Sequence, residues 1–315
     1  MGAPRVIITS PTQRRDFQEC PTKWGFKHVA RIASPKTGPL VLGGAFHAGL
    51  EDYYLSSSPA RAIISTRRYV EESDLPVSED HDPKPLLSIK ATALVVGYIQ
   101  HYGKTDSERW QALDCESEYR VIMARGLHDT GRMDMIIRDK KTNLVWLVET
   151  KTRSQLSEDW LTQLPIDAQI NRYLDVLRQR GLDPAGVIYN IIRTPQIRPG
   201  KNETLDEYRE RLRKDIEERP THYFARTDVF SSNMDVYRTK IDAIETSRAI
   251  REAFKPEVPL LRHTGSCIRG YQTCEFLPLC SVGMDPKRID KTPPGFRAIV
   301  PRSPAPITHS EESKV

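Results

Sequence analysis

GRMDMIIRDKKTNLVWLVETK, residues Gly131 to Lys151, is the stretch whose reading decides the fold. Two apolar runs flank a polar connection, Asp139 to Asn143, the pattern of a β-hairpin. The first run carries one acid, Asp134, and the second ends in Glu149-Thr150-Lys151. Side chains alternate along a strand, so Glu149 and Lys151 leave the same face. Leu144 to Val148 is apolar on both faces, so this strand is expected at the centre of a sheet covered on both sides. An acid and a lysine at the end of such a strand are costly unless they meet a partner. A divalent cation held by Asp134 and Glu149 would be that partner, as in metal-dependent phosphodiester cleavage. A solvated hairpin with surface acids accounts for the same residues, so the rest of the chain must decide.

The chain has 315 residues, enough for a substantial core. It contains no run of eighteen apolar residues, so no membrane span is expected; the expected location is the cytoplasm. The start, MGAPRVIITSPTQRR, lacks the apolar stretch of a signal peptide. Val6 stands where a myristoylation motif needs a small hydroxyl residue. Five cysteines in such a chain point to metal ligation before disulfides. Net charge is +5, unevenly placed: residues 1–40 carry seven basic and two acidic side chains, residues 251–302 nine and five. A basic surface built from both ends would suit a polyanion such as DNA.

Residues 10–29 read as a helix capped by Ser10, with Pro11 in its first turn and Pro21 interrupting it. Phe17, Cys20 and Trp24 fall at helical spacing, where Cys20 can be a core residue or a ligand. A second helix is expected to open at Gly43-Gly44, with His47, Leu50, Glu51 and Tyr54 on one face. His47 and Glu51 can share a metal or pair with each other. Residues of about 55–112 read as an inserted helical lobe, broken by a polar, proline-bearing loop at 75–85. Glu118 to Met123 reads as a strand, and either Glu116 or Glu118 can reach the metal site or face solvent. Asp159 to Arg180 is expected as one helix with Gln169, Tyr173 and Leu177 along a face, crossing over to a fourth strand at Gly186–Arg193. Gln169 and Tyr173 would then face the sheet near Lys151.

Cys267, Cys274 and Cys280 are separated by six and five intervening residues, without the Cys-x2-Cys pairs of common zinc sites. Cys20 or Cys115 can supply a fourth thiolate; Cys20 is preferred because it shares a basic, aromatic-rich setting with the late cysteines. Four thiolates suit a [4Fe-4S] cluster or a structural zinc, and either would clip the two ends of the chain together. From Gly283 onward a proline-rich tail is expected to be disordered.

Taken in order, these features resemble the RecB-like PD-(D/E)XK nucleases that include Cas4 and the AddB nuclease domain, and their phage-encoded members. The resemblance rests on Ser10…Phe17-x2-Cys20-Pro21-x2-Trp24, Gly44-x2-His47, Gly131-x2-Asp134, Glu149-x-Lys151, Gln169-x3-Tyr173 and the three late cysteines. The chain departs from the family at the namesake Pro-Asp, which is Met133-Asp134, and in its wider cysteine spacing. The resemblance implies an α/β fold: a restriction-endonuclease-like core with a mixed central sheet (αβββαβ), helical insertions and a C-terminal cysteine-rich segment. One nuclease domain would span residues 1–282, with metal-cluster segments at 10–29 and 263–282 and the tail at 283–315. It implies that His47, Asp134 and Glu149, with the Thr150 carbonyl, bind Mg2+ or Mn2+. Lys151 would orient the attacking water, Gln169 and Tyr173 would support it, and Cys20, Cys267, Cys274 and Cys280 would ligate a [4Fe-4S] cluster, with zinc as the alternative.

A hard dication on carboxylates both activates water and neutralises the phosphoryl transition state, and an imidazole ligand shifts preference toward Mn2+. The expected activity is a DNA exonuclease in recombination, repair or replication. Its partner beyond DNA would be a helicase, recombinase or single-strand-binding protein, and its place the host cytoplasm if phage-encoded. The alternatives are a catalytically silent iron–sulfur DNA-binding subunit and a Cas4-like CRISPR-adaptation nuclease.

Overall fold

The computed structural model describes residues 6–78, 82–155, 158–270 and 272–300. The quoted hairpin is its centre. Strand β1 (Ile7–Thr9) precedes helices α1 (Pro11–Glu19) and α2 (Pro21–Trp24), a π turn over Gly25–Val29 and the short strand β2 (Ile32–Ala33). Helices α3 (Gly38–Ser56), α4 (Pro59–Glu71) and α5 (Lys84–Arg109) follow. Then come β3 (Trp110–Ala124), β4 (Leu127–Asp139) and β5 (Val145–Arg153), the last two being the arms of the hairpin. Helices α6 (Glu158–Gln163) and α7 (Ala168–Gln179) lead to β6 (Pro184–Arg193). Helices α8 (Leu205–Glu218) and α9 (Pro220–Tyr223), strand β7 (Phe224–Val229) and α10 (Asn233–Ala253) complete the main body.

The sheet is mixed, as expected. Strands β4 and β5 are antiparallel, β5 and β6 parallel, and β6 and β7 antiparallel. Strand β3 runs antiparallel along one side of β4, and β1 pairs in parallel with Leu127 to Asp129 of β4. The β4–β5 ladder begins at the hairpin turn and ends at Met135–Val148. Beyond that pair the two strands part, while β5 stays paired to β6 as far as Arg153–Arg193. A cleft therefore opens at residues 130–134 of β4 and 149–151 of β5.

Both faces of β5 are covered. Val145 and Leu147 pack with Leu174 and Leu177 of α7, whereas Val148 packs with Trp110, Met135, Ile137 and Ile188 on the other face, which Tyr54 of α3 adjoins. Helices α3, α4, α5 and α8 form a second core around Phe46, Leu94, Tyr98 and Tyr208.

Several boundaries differ from the sequence reading. Asp159–Arg180 is two helices, because Leu164–Ile166 forms a 3-10 turn containing Pro165, and Asp167 caps α7 by accepting from Gln169 N and Ile170 N. Helix α3 starts at Gly38, five residues earlier than read, with Pro39 in its first turn. The two glycines lie inside it: a Cβ at Gly43 would stand 2.8 Å from Thr152 Oγ1, and one at Gly44 2.2 Å from Tyr69 Oη. They let α3 pass close to β5 and α4. Residues 283–300, read as the start of a disordered tail, instead return to the N-terminal segment. Arg297–Ala298 pairs with Ile32–Ala33, and Phe296 stacks on Phe276 at 5.8 Å. Burial of those aromatic and aliphatic side chains outweighs the local proline content. The remainder of that expected tail, 301–315, lies outside the described residues, as do 79–81 of the polar loop. Among the described residues, no helix is long and apolar enough to cross a membrane.

Candidate active site

The cleft where β4 and β5 part collects the sequence-selected acids. Asp134 reaches across it, and its Oδ2 accepts the Thr150 N–H at 2.7 Å. That donor has no strand partner on this side once the ladder has ended, so the carboxylate takes its place. His47, on α3, puts Nδ1 3.7 Å from Asp134 Oδ2 and 3.6 Å from Glu116 Oε1. One ligand atom from each of His47, Glu116 and Asp134 lies within 4.8 Å of the others, close enough to share one cation.

Glu116 is the acid that the strand pattern left open against Glu118. Its backbone takes a left-handed φ of 47°, and a bulge falls just before it, between Ala112 and Asp114. A non-glycine residue in that region carries strain, which structures keep where a side chain must be re-aimed. Glu116 turns into the cleft, where Arg132 Nε meets its other oxygen at 2.6 Å, while Glu118 stays exposed.

Glu149 and Lys151 leave β5 together on the face toward α7. Lys151 Nζ donates to Glu149 Oε1, which also accepts from Gln169 Nε2 at 3.0 Å. Gln169 is held in turn by Tyr173 Oη at 2.9 Å, and Tyr173 donates to the Arg132 carbonyl at 2.7 Å. The spacing of Gln169 and Tyr173, one helical turn apart, places both on this face. Glu149 is 1% exposed, and its Oε2 accepts no hydrogen bond among the described residues. A buried carboxylate oxygen without a donor is the feature a cation would satisfy. Burial and then the Asp134 charge push Glu149 up to about 7, against the pull of Lys151 and His47. Burial works against the Lys151 charge, but Glu149 and Asp134 outweigh it and hold the ammonium firmly protonated. His47 behaves likewise: burial depresses it, and Asp134 and Glu116 raise it above its ordinary value.

The residues thus fall into two adjoining sets. His47, Glu116 and Asp134 face one another across the cleft. Glu149, Lys151, Gln169 and Tyr173 form a hydrogen-bonded chain beside it, joined to the first set through Thr150. The oxygen and imidazole donors suit Mg2+ or Mn2+. Sequence reasoning missed Arg132, which holds Glu116; its position two residues before Asp134 was the available signal.

Away from the sheet, Cys20, Cys267, Cys274 and Cys280 line one cavity of about 160 Å3. The cavity lies between the α1–α2 junction and a small hairpin formed by β8 (Ile268–Arg269) and β9 (Gln272–Thr273), next to helix α11 (Leu277–Ser281). Direct bonds already join these segments: Thr22 N–H donates to the Leu261 carbonyl at 3.1 Å, and Ser266 Oγ to the Glu19 carbonyl at 3.0 Å. Cys20 Sγ accepts from the His263 N–H at 3.5 Å. No three of the four thiols lie within 4.8 Å of one another among the described residues. Cys115 is elsewhere, lining the acid cleft. Burial, with Asp114, Glu51 and Glu116, pushes its thiol up to about 12, so it stays protonated.

The family model described as the PD-(D/E)XK nuclease superfamily matches residues 8–281. No curated protein matches the chain. The match covers most of the sequence, both arms of the hairpin and all four cavity cysteines, and the chain belongs to that superfamily.

Proposed function

We propose that this member of the PD-(D/E)XK nuclease superfamily is a metal-dependent deoxyribonuclease, an exonuclease serving DNA recombination, repair or replication. The observation that carries the reading is the convergence of His47, Glu116 and Asp134 beside the Glu149–Lys151 pair. Asp134, His47 and Glu116 would hold Mg2+ or Mn2+, with Glu149 and the Thr150 carbonyl completing the set. A cation bound there lowers the pKa of water and offsets charge on the phosphate. Lys151, 36% exposed at its side chain and firmly cationic, would orient the attacking water and face the scissile phosphate. Gln169 holds Glu149, and through it Lys151, in place; Tyr173 fixes Gln169.

The RecB-like subgroup that holds Cas4, AddB and their phage-encoded relatives is proposed on the four thiols around one cavity. A tetrahedral zinc, with Zn–S bonds of about 2.3 Å, draws its sulfurs to roughly 3.8 Å from one another. Four thiols around one cavity could hold a [4Fe-4S] cluster, with zinc as the alternative, and either would join residues near Cys20 to those near Cys274 without taking part in cleavage. Protein purified without oxygen should then be brown; a colourless preparation with stoichiometric zinc would replace the cluster.

The activity is tested with end-labelled linear single- and double-stranded DNA and with a covalently closed circle, each with Mg2+ or Mn2+. Degradation of the linear substrates with the circle intact is expected. Cutting of the circle would make the enzyme an endonuclease, and tight binding without cleavage in every metal would reject the catalytic reading.

A further inference from the structure

Behind the cleft lies a buried polar network that the cleavage scheme does not use. Arg226, on β7, makes a two-pronged pair with Asp106 near the end of α5: Nη1 to Oδ1 at 2.7 Å and Nη2 to Oδ2 at 3.0 Å. Its guanidinium also lies over the rings of Tyr102 and Trp110, at 3.9 and 4.4 Å from their centroids. Asp106 is 1% exposed. An ion pair enclosed this way contributes little net stability compared with apolar residues of the same volume, but its directional bonds can fix the relative placement of the elements it joins.

Two arms leave the pair, and both end in the cleft. On the sheet side, Arg226 Nε donates to Asn190 Oδ1 at 2.7 Å. This fixes the amide orientation, so Nδ2 must point the other way, to Tyr98 Oη at 3.0 Å and Thr150 Oγ1 at 3.3 Å. Thr150 is the residue whose N–H holds Asp134. On the helix side, Tyr54 Oη donates to Asp106 Oδ2 at 2.7 Å and meets Tyr98 Oη at 3.1 Å. Tyr54 lies two turns beyond His47 on α3. Tyr54, Thr150 and Asn190 themselves line the cleft beside His47, Glu116 and Asp134.

We propose that the Arg226–Asp106 pair is the positioning device of the metal site, setting Asp134 through Asn190 and Thr150 and setting His47 through Tyr54. The two ligands come from separate layers, the sheet and the helical lobe. A single rigid pair between those layers fixes their separation, which strand and helix propensities alone do not. Partners of this kind behind metal ligands change affinity when removed. The inference rests on the proposed cation site, and its test distinguishes the two.

Mn2+ binding to the full chain is measured from the free-ion electron paramagnetic resonance signal, without DNA. Thr150→Val removes only the hydroxyl at the end of one arm, and Tyr54→Phe only the hydroxyl at the end of the other. Each should weaken Mn2+ binding about 10-fold with the fold intact. Ser247→Ala is the control: it removes a buried hydroxyl, bonded to Thr9 at 2.8 Å in a separate network, and should leave Mn2+ binding unchanged. Wild-type affinity in Thr150→Val or Tyr54→Phe overturns the proposal, as does equal weakening in Ser247→Ala. If the wild-type chain binds no Mn2+, the cation site itself falls, and this inference with it.

Discussion

The acid cleft and the cysteine cavity are built in opposite ways. The cleft takes its side chains from long regular elements, α3, β3, β4, β5 and α7, each anchored in a large core. Its acids are held by hydrogen bonds from Thr150, Arg132, Lys151 and Gln169 before any cation arrives. The cavity takes its thiols from helix ends and short turns around a small core of Phe26, Ile32, Phe276 and Leu279. One site is shaped by the fold; the other is where a bound metal would shape the fold.

That contrast sets the order of expected effects. Asp134→Asn or Glu149→Gln, which keep the shape and most hydrogen bonds of the side chain, should reduce DNA cleavage by about 10^3-fold or more while the melting temperature stays close to wild type. A large loss of stability instead would make these acids structural. If the four thiols hold a metal as proposed, Cys20→Ser should do the reverse, losing that metal and destabilising the joined ends by roughly several kcal/mol. Metal analysis and limited proteolysis near residues 255–300 check this. Cys115→Ser should keep the metal, and its loss there would move the fourth ligand into the acid cleft.

Within the cleft, Glu116→Gln should raise the half-saturating Mn2+ concentration by about 10-fold or more, whereas Glu118→Gln should not change it. Equal behaviour of the two would remove Glu116 from the ligand set.

The smallest effect concerns the hairpin turn. Asp139 accepts from Arg109 Nε at 2.6 Å and from the N–H groups of Lys141 and Thr142. Burial opposes its ionisation, but these donors outweigh it and hold the carboxyl below its ordinary value. Its stabilisation is therefore present above about pH 4 and is lost as pH falls through the lowered folded value. Asp139→Asn should lower the melting temperature by about 2–4 °C at pH 7 and by less at pH 3. The same deficit at both pH values would show that the charge is not what matters.

Much of the cleft was legible because it depends on period. The alternation of Val145 to Lys151 placed Glu149 and Lys151 on one face, and the spacing of Gln169 and Tyr173 placed them opposite. The apolar flanks of Asp139–Asn143 gave the hairpin. What escaped depends on departures from period or on long-range packing. The left-handed turn at Glu116 decides between two glutamates that alternation cannot separate, since 116 and 118 share a phase. The Arg226–Asp106 pair joins residues 120 apart, each ordinary in its own segment. The return of residues 297–298 to 32–33 is a two-residue pairing with no local signature. The parting of β4 and β5 after Met135–Val148 leaves no mark in the alternation of either strand.

The most direct test of the account compares wild type and Lys151→Ala on end-labelled linear DNA, at matched folding and with saturating Mg2+ or Mn2+. The account predicts progressive degradation by the wild type that chelation stops, and no degradation by Lys151→Ala. Wild-type cleavage by Lys151→Ala, or cleavage that continues after chelation, would contradict it.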